Sequence, residues 1–270
     1  MSTAERVGDY SDIIVEERGA VAVIKFNRPQ RLNAMSTAMM DELIHYLDSL
    51  NSGDFRIRAV VLTGEGRAFC AGGDVTTFPG ANEGKPRPGW RPSHGYKSPV
   101  VAMRDCDVPV IGAINGYAVG GGFGLALGTD FRICADDAIF QVAQIKRGIT
   151  PDVGLPFLLQ ANVGTQRALE LISTARRISA QEALDLGLVL EVVPKDDLLD
   201  RALELATQVT ANAPLGIAAA KRLVYMPHND DLAHVNELTF MFVTKLFETE
   251  DGKEGAMSFM ERREPVFRGR

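Results

Sequence analysis

Apolar positions follow two rhythms along this chain, one of period two and one of three to four. Residues 12–17 and 20–26 alternate or run apolar on either side of Arg18-Gly19, which predicts a β-hairpin. After Asn27-Arg28-Pro29, Ser36 is placed as the N-cap of a helix to about Leu50. Its apolar residues Met39, Met40, Leu43, Ile44, Leu47 and Leu50 recur at helical steps while Asp41, Glu42 and Asp48 face away, and the methionines read as core filler. Short apolar runs at 59–63, 109–114, 131–135, 138–142 and 189–193 have the character of buried strands. Ser179-Ala-Gln-Glu182 is a capping-box pattern that opens a short helix to about Asp185, and beyond Pro194 the period is helical over 196–211, 214–225 and 230–247. Strand, loop and helix recur in the manner of a layered α/β domain built by repeated crossovers. A boundary near residue 205 separates an α/β core, 1–205, from a helical region, 206–270, that reads as docking on a neighbouring subunit or as a solvated amphipathic tail.

The stretch that departs most from these rhythms is I-N-G-Y-A-V-G-G-G-F-G-L-A-L-G-T-D at 114–130. Consecutive glycines at 120–122 let the backbone take positive φ and bring N–H groups close to a ligand without an intervening Cβ. If Gly121 and Gly122 open a helix over 121–127, their N–H groups have no intrahelical acceptor, and the helix dipole adds partial positive charge there. Such a terminus suits an anion, or an oxygen that becomes anionic during reaction. Phe69-Cys70-Ala71-Gly72-Gly73-Asp74 places a second glycine pair after an apolar strand, so two donors from separate loops can converge on one oxygen. Taken alone the loop reads first as a tight turn or close helix packing. It has no G-x-G-x-x-G register, because Leu125 stands at the last required glycine, and a nicotinamide site is set aside.

Composition narrows the classes. The chain has 270 residues, 46% hydrophobic and 24% charged, as in an ordinary soluble globular protein. A net charge of −6 argues against a general nucleic-acid binder. Cys70, Cys106 and Cys134 read as buried thiols in a reducing compartment, the cytoplasm, and His45, His94, His228 and His234 lack metal-binding spacing, so no metal is expected. No apolar run has the length of a membrane span. Residues 78–99, rich in proline and glycine, read as a lid or mobile loop, with Trp90, His94 and Tyr96 as candidate substrate contacts. Asp152, in G-I-T-P-D-V-G at 148–154, reads by itself as a helix N-cap.

Several stretches together resemble the crotonase (enoyl-CoA hydratase/isomerase) superfamily over nearly the whole chain. They are N-R-P-Q-R-L-N-A-M at 27–35, F-C-A-G-G-D at 69–74, I-N-G-Y-A-V-G-G-G at 114–122, G-T-D at 128–130, G-T-Q-R at 164–167, and E-D-G-K-E-G with S-F-M-E-R-R between 250 and 263. The resemblance implies a ββα spiral core followed by C-terminal helices that form trimers, often paired into hexamers. It also implies an acyl-CoA thioester as substrate, with coenzyme A part of that substrate and no separate cofactor. The thioester oxygen would receive the N–H groups of Ala71 and Gly121. Coenzyme A would lie against Arg28, Leu32, Ala34 and the loop Ala71, Gly72, Gly73 and Asp74, with Phe259 and Arg262 supplied by a neighbouring subunit.

Departures from the pattern favour a branch. Where the resembled hydratases carry two glutamates, this chain has Gly124 and Gln144, neither of which exchanges a proton as a carboxylate does. Asp152 falls eight residues after Gln144, where acyl-CoA isomerases of the superfamily place an aspartate, and P-D-x-G at 151–154 is similar to the ring-opening isomerase of phenylacetate degradation. The expectation is an enoyl-CoA isomerase with Asp152 as base and Gln144 orienting the acyl group or a water. Alternatives are a hydratase or hydrolase in which Asp152 activates water, an aryl-CoA dehalogenase, and a non-catalytic CoA-thioester-binding protein. RNA binding, found in some relatives, is disfavoured by the acidic helix at 36–50.

Overall fold

A computed structural model describes residues 4–74, 98–226 and 232–270, with side chains left out over 232–238. Residues 78–97 of the irregular stretch, with Trp90, His94 and Tyr96, lie outside the described residues.

The chain opens with β1 (Glu5–Arg6) and the antiparallel pair β2 (Ile13–Arg18) and β3 (Val21–Phe26), the expected hairpin. Helix α1 (Thr37–Ser49) follows, with Ser36 accepting from the Met39 N–H at 3.0 Å. Three ββα turns come next: β4 (Ala59–Gly64), β5 (Ala68–Cys70) and α2 (Pro99–Asp105); β6 (Val110–Ile114), β7 (Tyr117–Val119) and α3 (Gly121–Gly128); β8 (Phe131–Ala135), β9 (Ile139–Gln141) and α4 (Leu155–Thr174). Then come β10 (Arg177–Ser179), α5 (Ala180–Asp185), β11 (Glu191–Val193), α6 (Leu198–Thr210), α7 (Pro214–Val224), α8 (Leu232–Glu248) and α9 (Glu250–Glu261).

The first strand of each turn enters a seven-stranded sheet of order β1-β2-β3-β4-β6-β8-β11, and the second enters a four-stranded sheet of order β10-β9-β7-β5. From β3 onward the neighbours in the large sheet are parallel. Both its faces are covered, which is why its strands read as continuous apolar runs. Ala22, Ile24, Val60 and Leu62 face the main core, while Val21, Val23, Ala59 and Val61 face a second cluster completed by Leu198, Ala202 and Ala206 of α6. Helix α6 therefore belongs to the α/β core. A boundary at residue 205 would cut through it, so that division is corrected to the far side of α6.

The three cysteines are free and buried. Burial pushes the Cys70 and Cys134 thiols up to about 12 and Cys106 to about 11, so they stay protonated and act as small apolar groups. No helix of the described residues is long and apolar enough to cross a membrane.

Candidate functional site

Three segments meet where the small sheet gives way to α3: the loop after β5, the glycine run after β7, and the segment from Ala143 to Gly154 between β9 and α4. Glycine is required by contact distance. A Cβ on Gly122 would lie 2.0 Å from the Cys70 carbonyl oxygen, and one on Gly72 2.8 Å from that of Val119 and 3.6 Å from the Gly121 nitrogen. Gly120 has φ +58° and ψ −123°, a conformation costly for any residue with a side chain. The two loops thus approach more closely than side chains would permit. They enclose a cleft of about 80 Å³ lined by Ala71–Gly73, Val119–Gly121, Ala143, Gln144, Arg147, Ile149 and Asp152.

Gly121 opens α3, and its N–H donates to nothing among the described residues, as the first turn of a helix dictates. The Ala71 N–H is different: it is donated to the Leu32 carbonyl at 3.0 Å. It is therefore not free for a ligand oxygen, and the expectation that pairs it with Gly121 is corrected. Gly73 lines the same cleft, and its N–H takes part in no hydrogen bond among the described residues. The bridge between Met35 and Gly73 is made by Met35 N–H to Gly72 O and Asp74 N–H to Met35 O. Gly73 and Gly121 are the donor pair that this geometry leaves open.

The loop at 28–35 holds that arrangement. Leu32 and Asn33 both have positive φ. Buried Asn33 donates to the carbonyls of Ala68 at 2.7 Å and Glu65 at 3.0 Å, and accepts from the Arg28 N–H at 2.9 Å. The Arg28 guanidinium binds the Ala34 carbonyl at 2.5 Å and Asp74 at 3.0 Å. Arg28, Leu32, Ala34 and Asp74 are thus gathered at the loop, and Arg28 is engaged in latching it to the segment that carries Gly73.

On the far wall, Gln144 is 6% exposed and donates from Nε2 to Asp152 Oδ1 at 3.0 Å. A carboxylate only accepts, so the amide must turn its NH2 toward it. The Gln144 Oε1 is consequently left facing the other way, buried and without a donor among the described residues. Asp152 itself is exposed at the mouth of the cleft. It is not the cap of α4: Gly154 holds that position, and only the Asp152 backbone carbonyl accepts from Leu155. The cleft therefore brings together two unspent N–H donors, one carboxylate and one unmet carbonyl acceptor.

The sequence profile of the enoyl-CoA hydratase/isomerase family matches residues 16–270. The chain belongs to that family. A carnitinyl-CoA dehydratase of Salmonella enteritidis PT4 is 37% identical over 265 residues, covering 93% of this chain and 96% of its own. Among solved structures, an enoyl-CoA hydratase from Bacillus anthracis aligns with a TM-score of 0.85 at 32% identity, over 96% of this chain and 100% of that one. One from Polaromonas sp. JS666 aligns with a TM-score of 0.87 at 31% identity, over 95% and 99%. The crotonase fold and acyl-CoA processing are thereby established for the family to which this chain belongs.

Val153 packs closely over two of the glycines at the start of α3. At Gly124, where the resemblance places a glutamate in hydratases, an added Cβ would lie 2.6 Å from the Val153 carbonyl oxygen and 3.1 Å from its Cβ. Val153 also stands 3.1 Å from where a Gly121 Cβ would be, and it has φ +53°. That conformation costs a branched residue about 1–2 kcal/mol. Packing over the two glycines holds it there, and the strained residue is the one that follows Asp152. Phe259, 84% exposed, and Arg262 lie at the end of α9 and are not among the residues lining the cleft. Arg147 and Ile149, which do line it, were missed in the sequence, where nothing marks the end of a short 3-10 turn and the loop after it as cleft lining.

Proposed function

We propose that this enzyme adds water to, or removes it from, a CoA thioester through an enolate, with Asp152 as the single proton carrier. The reading rests on the unmet acceptor of Gln144. A buried carbonyl oxygen without a donor costs about 1–3 kcal/mol until something supplies one. Beside the Asp152 carboxylate, that something is an O–H: a water, or the 3-hydroxyl of an acyl chain.

In hydration, a water donates one hydrogen to Gln144 Oε1 and the other to Asp152. Asp152 takes its proton as the oxygen bonds to C3 of a 2-enoyl thioester. The C2–C3 π electrons move onto the thioester oxygen, held by the Gly73 and Gly121 N–H groups. Asp152, now protonated, returns the proton to C2 as the carbonyl reforms. Dehydration is the reverse: Asp152 removes the C2 proton and gives it to the departing 3-hydroxyl, so atoms and charge balance either way. The dehydratase name of the 37% identical relative supports this direction of reading.

Double-bond migration is the second reading, favoured by the presence of one carboxylate in the cleft among the described residues. One proton carrier suffices to take a proton from C4 and return it at C2, or the reverse. The two reactions are separated by NMR of 2-enoyl-CoA and 3-enoyl-CoA in deuterated water with wild type, Asp152→Asn and Gln144→Leu. The proposal expects a 3-hydroxyacyl product deuterated at C2, absent in Asp152→Asn and slowed in Gln144→Leu. Migration without hydration, insensitive to Gln144→Leu, would replace it by the isomerase reading. The exposed apolar residues of α8 and α9, Phe240, Met241, Phe247, Phe259 and Met260, support assembly of copies through this region, proposed as a trimer or a hexamer.

A further inference from the structure

The small sheet ends in a row of cross-strand neighbours, Val119 on β7, Gln141 on β9 and Arg177 on β10. Val119 leads directly into the glycine loop, so Arg177 lies two strand spacings, roughly 10 Å, along the sheet from it. Gln144 and Arg147 begin and end one 3-10 turn, where residues three apart share a side. A cavity of about 710 Å³ follows this row, lined by Val119, Gln141, Ala143, Lys146, Arg147 and Arg177. Three of its residues, Val119, Ala143 and Arg147, also line the catalytic cleft, so the two are continuous.

Its charge is one-sided. Lys146, Arg147 and Arg177 are exposed and form no ion pair among the described residues, and the Arg147 guanidinium reaches only the Ala143 carbonyl at 3.2 Å. The neighbouring Arg176 shows the contrast, clamped by Glu170 at 2.6 Å and Glu182 at 2.7 Å. In a chain of net charge −6, three unpaired cations around a cavity opening off the reactive cleft form a local field of opposite sign.

We propose that this cavity receives the distal end of the acyl group and that this end carries a carboxylate, held by Arg147 with Lys146 and Arg177 around it. The inference rests on the acyl-CoA reading above and names its substrate class: a dicarboxylic acid joined to CoA through one of its carboxyls. Guanidinium suits that end group because its planar fork matches a carboxylate.

Calorimetric titration tests this without turnover, using saturated thioesters that can be neither hydrated nor isomerised. Succinyl-CoA, glutaryl-CoA, adipoyl-CoA, hexanoyl-CoA and free CoA are each titrated into the full chain, wild type and Arg147→Ala, with Arg147→Gln as a second variant should the alanine variant misfold. The expected result is that at least one dicarboxylyl thioester binds wild type about tenfold or more tightly than hexanoyl-CoA, the scale of one charged hydrogen bond. The substitution at Arg147 should abolish that preference, weakening the favoured dicarboxylyl thioester about tenfold more than hexanoyl-CoA. Equal or weaker binding of all three dicarboxylyl thioesters would overturn the inference. So would an equal loss of free CoA binding in the variant, which would assign these cations to the CoA phosphates. Failure of every thioester, hexanoyl-CoA included, to bind wild type would overturn the acyl-CoA reading itself.

Discussion

Asp130, just before β8, and Asp152, between β9 and α4, are used in opposite ways. Asp130 closes a network: its carboxylate binds Lys221 Nζ at 2.8 Å, the Val110 N–H at 2.6 Å and the Tyr225 hydroxyl at 2.7 Å. Lys221 spends its other two hydrogens on the carbonyls of Met103 and Val108. Arg104 covers the Tyr225 ring at 4.3 Å. All three ammonium hydrogens are used, and α7 is thereby pinned to the core. Among the described residues Asp152 makes one side-chain hydrogen bond, to Gln144, and that bond leaves an acceptor unmet beside it. A polar cluster satisfied within the chain holds the fold together. One left open awaits a ligand.

The comparison can be broken by exchanging the two effects. Asp152→Asn keeps shape and accepts or donates to Gln144, but cannot carry a proton. Turnover of a 2-enoyl-CoA should fall about 10³-fold, the scale of a lost general base, with the thermal midpoint unchanged. A melt shifted as far as the activity would show Asp152 to be structural. Asp130→Ala should do the reverse. It strands the Lys221 ammonium in the core, and urea unfolding should show a loss of about 3–5 kcal/mol, while the folded fraction retains its kcat.

Gln144→Leu sharpens the contrast on a smaller scale. It removes both the bond to Asp152 and the unmet acceptor, so stability should stay within about 1 kcal/mol of wild type in the same unfolding experiment. Hydration should nonetheless slow by about tenfold, the value of one well-placed hydrogen bond in the reacting complex. The smallest effect belongs to neither aspartate. Thiols of the unfolded chain ionise near 9.0, whereas burial holds Cys70 and Cys134 protonated to about 12 and Cys106 to about 11. Above pH 9 the unfolded chain binds fewer protons than the folded one, so stability declines as pH rises through that window and is insensitive to the thiols below it. Unfolding followed from pH 8 to 11 checks this, and a Cys70→Ala variant should show a shallower decline.

Much of this architecture was legible because it is local. The hairpin around Gly19, the Ser36 cap and the helical stripe of α1, the capping box at Ser179 and the start of α3 at Gly121 appear where their patterns place them. The short strands β5, β7 and β10 were not recognised, since three residues carry no period by themselves, and they exist as strands because of their partners in the small sheet, β5 with β7, β7 also with β9, and β10 with β9. Helix α2 begins beside the irregular stretch at 78–99 and was hidden by it. The resemblance named Asp152 and Gln144 as site residues, but neither the hydrogen bond between them nor the orientation of the amide, which depends on which atom faces the carboxylate.

The amino-acid sequence alone thus determined that a glycine-rich helix start would stand at the centre of an α/β core, and that neither Gly124 nor Gln144 carries a carboxylate. Those are properties of residue type at a position. Which N–H groups remain open was decided only in three dimensions. Ala71 and Gly73 are near-identical candidates in F-C-A-G-G-D, and the carbonyl that takes the Ala71 donor comes from Leu32 on a distant loop. Likewise Val153 fills the space left at Gly124, and the unmet oxygen of Gln144 exists because Asp152 folds back to take its NH2. A hydrogen-bonding group is spent or free according to what the fold brings to it, and that partner is set by long-range packing.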